Sequence, residues 1–316
     1  MAEGRTLPLS ALVEHFGLDV LTTSGLDLDA CLVESAHVNR PGLQWAGYSQ
    51  QFPRQRLQII GPAEAEYMWG LPLEERRLRL EAYVATGFPA AVFTRGLDVP
   101  AEAIAIAEHN RIPLLRTSRP TGDFVSAVTS YLSLELAART VMHAGLVDVY
   151  GEGVLILGRS GVGKSETALE LIRRGHRMVA DDTVEIRRPS DRELLGRAPG
   201  LMRHFMEIKG IGIVNLRRMY GIGAVKSSGS INMVVALEPW EPPSPDATEA
   251  GIRRRLETRI DILGVPLTCL TIPVQPGRNT AGLIEAAAIA HRARRMQGRD
   301  PAAGSEPMVD LFGRLS

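Results

Sequence analysis

The chain has 316 residues, 45% of them apolar and 23% charged, with 36 basic side chains against 36 acidic ones. That length points to two domains with ordinary globular cores, and the charge balance leaves no basic excess to favour nucleic acid or an anionic membrane. Cys31 and Cys269 lie too far apart to suggest a disulfide framework. No apolar run reaches the roughly 18 residues of a membrane span, and Met1–Leu21 lacks the apolar core of a signal peptide, so a cytoplasmic protein is expected.

In chain order, Leu57–Ile60 before Gly61-Pro62 and Ala90–Thr94 before Arg95-Gly96 read as strands with turns. Pro100–His109 reads as a helix, and Ile112–Leu115 as a third strand. Strand and helix alternate, which predicts an α/β layer with a mostly parallel sheet. No catalytic constellation emerges there. From Asp123 to His143 apolar residues Val125, Val128, Leu132, Leu136 and Val141 recur at helical spacing, predicting one long helix joining the halves. The domain boundary falls near residue 133, giving 1–132 and 133–316. Glu238–Asp246 contains four prolines and reads as a loop. Beyond Gly298 the chain is rich in Gly, Pro and charge, with Met308–Phe312 a docking candidate.

The strongest chemical signal follows the apolar run Val154–Leu157. Gly158-Arg159-Ser160-Gly161-Val162-Gly163-Lys164-Ser165 has the form G-x-x-x-x-G-K-S, and Glu166–Arg174 continues as a helix. Glycines let successive N–H groups wrap a phosphate, and the helix start adds its positive dipole end. Lys164 supplies a full charge, and the Ser165 hydroxyl can hold Mg²⁺. The strand Arg177–Ala180 ends in Asp181-Asp182. Such a pair elsewhere is usually an exposed loop cap; beside a P-loop one carboxylate suits Mg²⁺ and the other suits the proton of an attacking hydroxyl. His143 alone reads as a structural hydrogen-bonding residue.

Several blocks together resemble the HPr kinase/phosphorylase family. They are His143–Gly151, the P-loop with its helix, the V-A-D-D strand, Met206–Val225 and Pro273–Asn279, joined in the N-terminal half by Asn39–Leu43 and Thr94–Leu97. The resemblance covers most of the chain. It implies a homohexamer whose C-terminal P-loop domain is of phosphoenolpyruvate-carboxykinase type, with a regulatory or assembly domain before it. It implies ATP-dependent phosphorylation of a serine on the phosphocarrier HPr, and reversal by inorganic phosphate with release of pyrophosphate. By position it makes His143, Lys164, Asp181 and Asp182 catalytic, and Ser165 and Glu207 metal ligands. Met206, Glu207, Ile208, Lys209, Gly210, Ile211, Gly212, Ile213, Val214 and Asn215 would serve both reactions. Val274, Gln275, Pro276, Gly277, Arg278 and Asn279 would serve dephosphorylation; without the family, the last three read as a turn capping a helix over Ala281–Arg295. That helix ends in His291–Arg295, ordinarily a solvated basic face and here a candidate partner contact.

Three departures stand out. Gln275 replaces a residue that is commonly basic, which weakens the expectation of phosphorolysis. Arg159 stands where many members have Asp. The arginine expected after the mobile loop is Arg253 or Arg254, with Arg255 adjacent. A small-metabolite kinase and a nucleotide sensor without turnover are the other classes compatible with the P-loop.

Overall fold

The computed structural model describes residues 5–240 except Ser24 and Ser49, and 256–297 except Pro276, with Leu201 described by its backbone alone. Arg253, Arg254, Arg255, Pro276, the 241–246 part of the proline-rich segment and Met308–Phe312 lie outside the described residues. The chain divides into two units at Ala137/Ala138. Among the described residues no helix is long and apolar enough to cross a membrane.

The first unit holds β1 (Leu7–Pro8), α1 (Leu9–Phe16), β2 (Asp19–Val20), β3 (Leu32–Val33), β4 (Val38–Asn39), α2 (Gly42–Trp45) and β5 (Leu57–Ile60). It continues with α3 (Pro62–Trp69), α4 (Leu73–Val84), β6 (Ala91–Phe93), α5 (Ala101–His109), β7 (Leu114–Arg116) and α6 (Thr121–Glu135). Its five-stranded sheet runs β2-β7-β6-β5-β4, parallel except for β2. The period of two explains the layers: Leu57, Ile59 and Val92 pack with α1 and α6, while Ile60, Ala91 and Phe93 pack with α3, α4 and α5. Strands β5, β6 and β7 and helix α5 are the elements expected from the apolar runs.

The long helix expected over Asp123–His143 is shorter. Helix α6 stops at Glu135, having buried Phe124, Val128 and Leu132 on one stripe. The second unit opens with β8 (Ala138–His143), an extended edge strand on which Val141 is exposed. The β-branched pair Thr140-Val141 favours a strand, and pairing with a neighbour decides it.

After β8 come β9 (Gly145–Val149), β10 (Glu152–Gly158), α7 (Lys164–Arg173), β11 (Arg177–Ala180), β12 (Thr183–Ser190) and β13 (Glu193–Arg197). Then follow β14 (Phe205–Ile208), β15 (Gly212–Asn215), α8 (Leu216–Tyr220), β16 (Gly229–Ser230), β17 (Met233–Pro239), β18 (Glu257–Ile262), β19 (Val265–Val274) and α9 (Thr280–Met296). A six-stranded sheet runs β11-β9-β10-β17-β19-β18, and a four-stranded antiparallel sheet runs β16-β13-β12-β8. Val154 and Ile156 of β10 face α7 and α9; Leu155 faces the four-stranded sheet. Three layers result: helices, mixed sheet, antiparallel sheet. The proline-rich segment is a strand at its start, since Glu238 and Pro239 pair with β19; Pro239 lies beyond the last β10 pair, Gly158 with Leu237, where no donor to β10 is needed.

Strand directions gather the chemistry at one edge. β10, β17 and β19 are mutually parallel and finish on the same side, at Gly158, Pro239 and Val274. β9 is antiparallel to β10 and to β11, so the start of β9, just after His143, and the end of β11, just before Asp181, share that edge. Ligands of open α/β sheets bind beyond the carboxyl ends of parallel strands.

Candidate active site

Glycine geometry shapes the loop after β10. Gly161 and Gly163 have φ of 79° and 106°, in the left-handed region that lets their N–H groups turn inward. At Gly158 a Cβ would come within 2.7 Å of Val162 Cγ1 and 2.8 Å of the Leu237 carbonyl oxygen, so no larger residue fits. Helix α7 starts after Gly163 with no side-chain cap, leaving its first-turn N–H groups for an anion.

Lys164 is nearly buried and folds back over the loop. Its Nζ donates to the carbonyls of Gly158 (2.9 Å) and Arg159 (3.4 Å) and lies 3.3 Å from His143 Nε2. An ammonium only donates, so Nε2 accepts and the ring proton sits on Nδ1. Nδ1 in turn is 3.1 Å from Asp182 Oδ1. Lys164, His143 and Asp182 thus form one hydrogen-bonded string along the mouth of the loop. His143 reaches it from the end of β8, whose register sets it opposite Thr183.

A tight turn separates the two aspartates. Thr183 N–H donates to the Asp181 carbonyl at 2.7 Å, Asp182 takes φ 63°, and its carbonyl accepts from Ala144 N–H at 3.0 Å. A positive φ on a non-glycine residue costs conformational energy, and Asp tolerates it better than most. The result is two carboxylates in unlike surroundings. Asp181 is buried, with Ser165 Oγ 3.2 Å from each of its oxygens; Asp182 is 63% exposed on its side chain. Burial pushes the Asp181 carboxyl up to about 6, and the neighbouring Asp182 charge adds to this. Hydrogen bonds from Ser165 and from the Glu207 and Asp182 N–H groups oppose it.

The Glu207 bond ties the β14–β15 hairpin to this site. Met206 is buried in the helix-side core, where Ile208 and Val214 also pack. Lys209, Gly210, Ile211 and Gly212 form an exposed tip, Ile213 is exposed, and Asn215 caps α8 by accepting from Arg218 N–H at 3.0 Å. Val274 ends β19 at the loop edge, and Gln275 begins the turn through Gly277 (φ 82°) and Arg278 to Asn279, which caps α9. Arg253 and Arg254 are outside the described residues. The basic end of α9 is only partly solvated: His291 Nδ1 and Arg295 Nη2 hold the fully buried Glu152 carboxylate at 3.1 and 2.6 Å.

Strand, glycine loop and helix with an inward lysine and a first-turn serine define a P-loop phosphate-binding domain. Comparison with known proteins narrows the class. The family model of the HPr serine kinase C-terminal domain matches residues 134–304, and that of the HPr serine kinase N terminus matches residues 7–132. This chain belongs to the HPr serine kinase family. It is 42% identical over 285 residues to the HPr kinase/phosphorylase of Geobacillus sp. (strain WCH70), covering 90% of each chain. Identity to the same-named protein of Bacillus subtilis (strain 168) is 42% over 296 residues, covering 94% of this chain and 93% of that one. With the Lachnoclostridium phytofermentans protein it is 40% over 311 residues, 98% and 97% of the two chains. The solved Hpr(Ser) kinase/phosphatase from Coxiella burnetii aligns with 28% identity and a TM-score of 0.43, over 50% of this chain and 99% of that one.

Proposed function

We propose that this chain phosphorylates a serine of HPr with ATP and removes the same phosphoryl group by phosphorolysis. The observation that carries the reading is the division of labour between adjacent aspartates: Asp181 on Ser165, Asp182 on His143. A protein substrate reaches only the exposed carboxylate, so Asp182 is the proton carrier. The loop amides and Lys164 hold the β- and γ-phosphates.

In the forward direction the serine Oγ attacks the γ-phosphorus, the bond to the β-bridging oxygen breaks, and the serine proton passes to Asp182 and then to solvent. In reverse, an oxygen of inorganic phosphate attacks the phosphoserine phosphorus, the P–Oγ bond breaks and pyrophosphate forms. The proton borne by the incoming phosphate ends on the serine oxygen, with Asp182 as its carrier. His143 orients Asp182 and links it to Lys164, so the cation and the base keep a fixed spacing.

Ser165 Oγ and both Asp181 oxygens form a hard-oxygen set of the kind Mg²⁺ prefers. Among the described residues no cluster of three His, Cys, Asp or Glu side chains exists to cage an ion, which fits a metal that completes its shell with phosphate and water. Ser165 and Asp181, with Glu207 from the hairpin, would hold it, and when bound it neutralises phosphate charge. Met206–Asn215 serves both directions, Val274–Asn279 the reverse one, and an arginine at 253 or 254 completes the site. Residues 133–316 are the catalytic domain, residues 1–132 serve regulation or assembly, and the particle is a cytoplasmic homohexamer.

Incubation with γ-labelled ATP, Mg²⁺ and purified HPr tests this. Label on an HPr serine, lost when that serine is replaced by alanine, is expected. ATP bound but unconsumed, or label passed only to a small molecule, would refute it.

A further inference from the structure

Arg174 follows α7 at the end remote from the phosphate loop, and every edge of its guanidinium is engaged. Nε donates to Glu170 Oε1 at 3.0 Å, Nη1 to Glu285 Oε2 at 2.9 Å and Nη2 to Asn279 Oδ1 at 3.0 Å. The other Glu285 oxygen is 2.9 Å from Nε2 of the buried His176. Asn279 Oδ1 also accepts from Gly282 N–H at 2.9 Å, the bond that caps α9. The cap is closely packed: a Cβ on Gly282 would meet Asn279 Nδ2 at 2.8 Å. One planar cation therefore joins the helix of the phosphate loop to the first residue before α9.

The segment so gripped is the one leaving β19 at the phosphate edge. Val274 pairs with Pro239, two residues beyond the level where Leu237 meets Gly158. Trp240 N–H donates to the Val274 carbonyl at 3.2 Å, fixing the segment's entry. Between that entry and Asn279 lie Gln275, Gly277 and the exposed Arg278, with the Arg278 N–H donating to the Gln275 carbonyl at 3.1 Å. Its entry is held at the end of β17, the strand beside β10, and its exit by Arg174 at the end of α7, so the turn is pinned on both sides of the phosphate loop's own strand and helix.

We propose that Arg174 is a positioning residue for phosphorolysis: through Asn279 and Glu285 it sets the Gln275–Asn279 turn against the phosphate loop so that inorganic phosphate enters in line. The inference rests on the proposed reverse reaction. Arg174 touches neither the loop nor the Lys164–His143–Asp182 string, so its loss leaves forward transfer intact. Lysine is an incomplete substitute, because a point-like ammonium cannot serve three acceptors from one plane.

The test measures both reactions in full-length wild type, Arg174→Gln, Arg174→Lys and Glu285→Gln, with melting temperatures recorded for each. The expected result for Arg174→Gln is a rise of about tenfold in the KM for inorganic phosphate in phosphorolysis. Kinase kcat and the KM for ATP should stay within about twofold, and Arg174→Lys should recover part of the loss. Glu285→Gln should shift the same KM in the same direction and decides the matter if Arg174→Gln does not fold. Equal losses in both reactions, no change in either, or a lysine variant no better than glutamine would overturn the inference. A wild type that phosphorylates HPr but shows no phosphorolysis overturns it too. A wild type that does not phosphorylate HPr refutes the functional reading beneath it.

Discussion

Replacing Asp181 by asparagine should make the protein more stable, and by an amount that grows with pH. The carboxyl titrates near 3.8 in the unfolded chain and is pushed to about 6 in the folded one by burial and by Asp182. Between those values the folded state holds a proton that the unfolded state has released, so stability falls as pH rises through that window and levels off above it. The full loss is about 3 kcal/mol, from roughly two pH units at 1.36 kcal/mol each. About half of it is already present at pH 5, leaving about 1.4 kcal/mol to appear between pH 5 and pH 8. Asparagine keeps an acceptor for Ser165 and does not titrate. The assay is thermal unfolding of wild type and Asp181→Asn at pH 5 and pH 8 in a chelating buffer. For a unit of this size the advantage of the variant should widen by roughly 3–6 °C from the lower pH to the higher. An advantage that is flat or shrinks with pH would refute the argument that Asp181 is held with its charge penalised.

Asp182→Asn should behave oppositely: little change in stability, nucleotide binding retained by equilibrium dialysis, and transfer to HPr reduced by about 10²–10⁴. Gly158→Ala should cost about 1–3 kcal/mol in chemical unfolding and weaken ATP binding, because the added methyl meets Val162 and the Leu237 carbonyl. Gln275→Arg should raise the ratio of phosphorolysis to kinase activity, since a cation is added to the turn that leaves β19 at the phosphate edge; an unchanged ratio would count against the role given to that turn.

Much of the fold was legible because local signals and tertiary packing agree. Leu57–Ile60, apolar but for Gln58, and Ala91–Phe93 are short runs closed by turns, and each is buried on both faces of a parallel sheet. The loop Gly158–Ser165 was legible for the same reason, as its glycines do one job in one context. Ala138–His143 was not. Its spacing continues that of α6 closely enough to pass for helix, and only hydrogen bonding to β12, some forty residues later in sequence, makes it a strand. The contacts of Asp181 and Asp182 were equally hidden. Simple alternation puts adjacent side chains on opposite faces, but which carboxylate meets Ser165 and which meets His143 depends on the turn at Asp182. The Arg174 contacts with Asn279 and Glu285 join residues more than a hundred positions apart, beyond any local pattern.

A single pocket with one proton carrier must lose both directions of the reaction together. The decisive measurement supplies serine-phosphorylated HPr and labelled inorganic phosphate to the wild type and to Asp182→Asn, and follows labelled pyrophosphate. One pyrophosphate per HPr dephosphorylated by the wild type is predicted, with both this and forward transfer lost in the variant. Free phosphate released without pyrophosphate, or a variant that keeps one direction at full rate, would contradict the account.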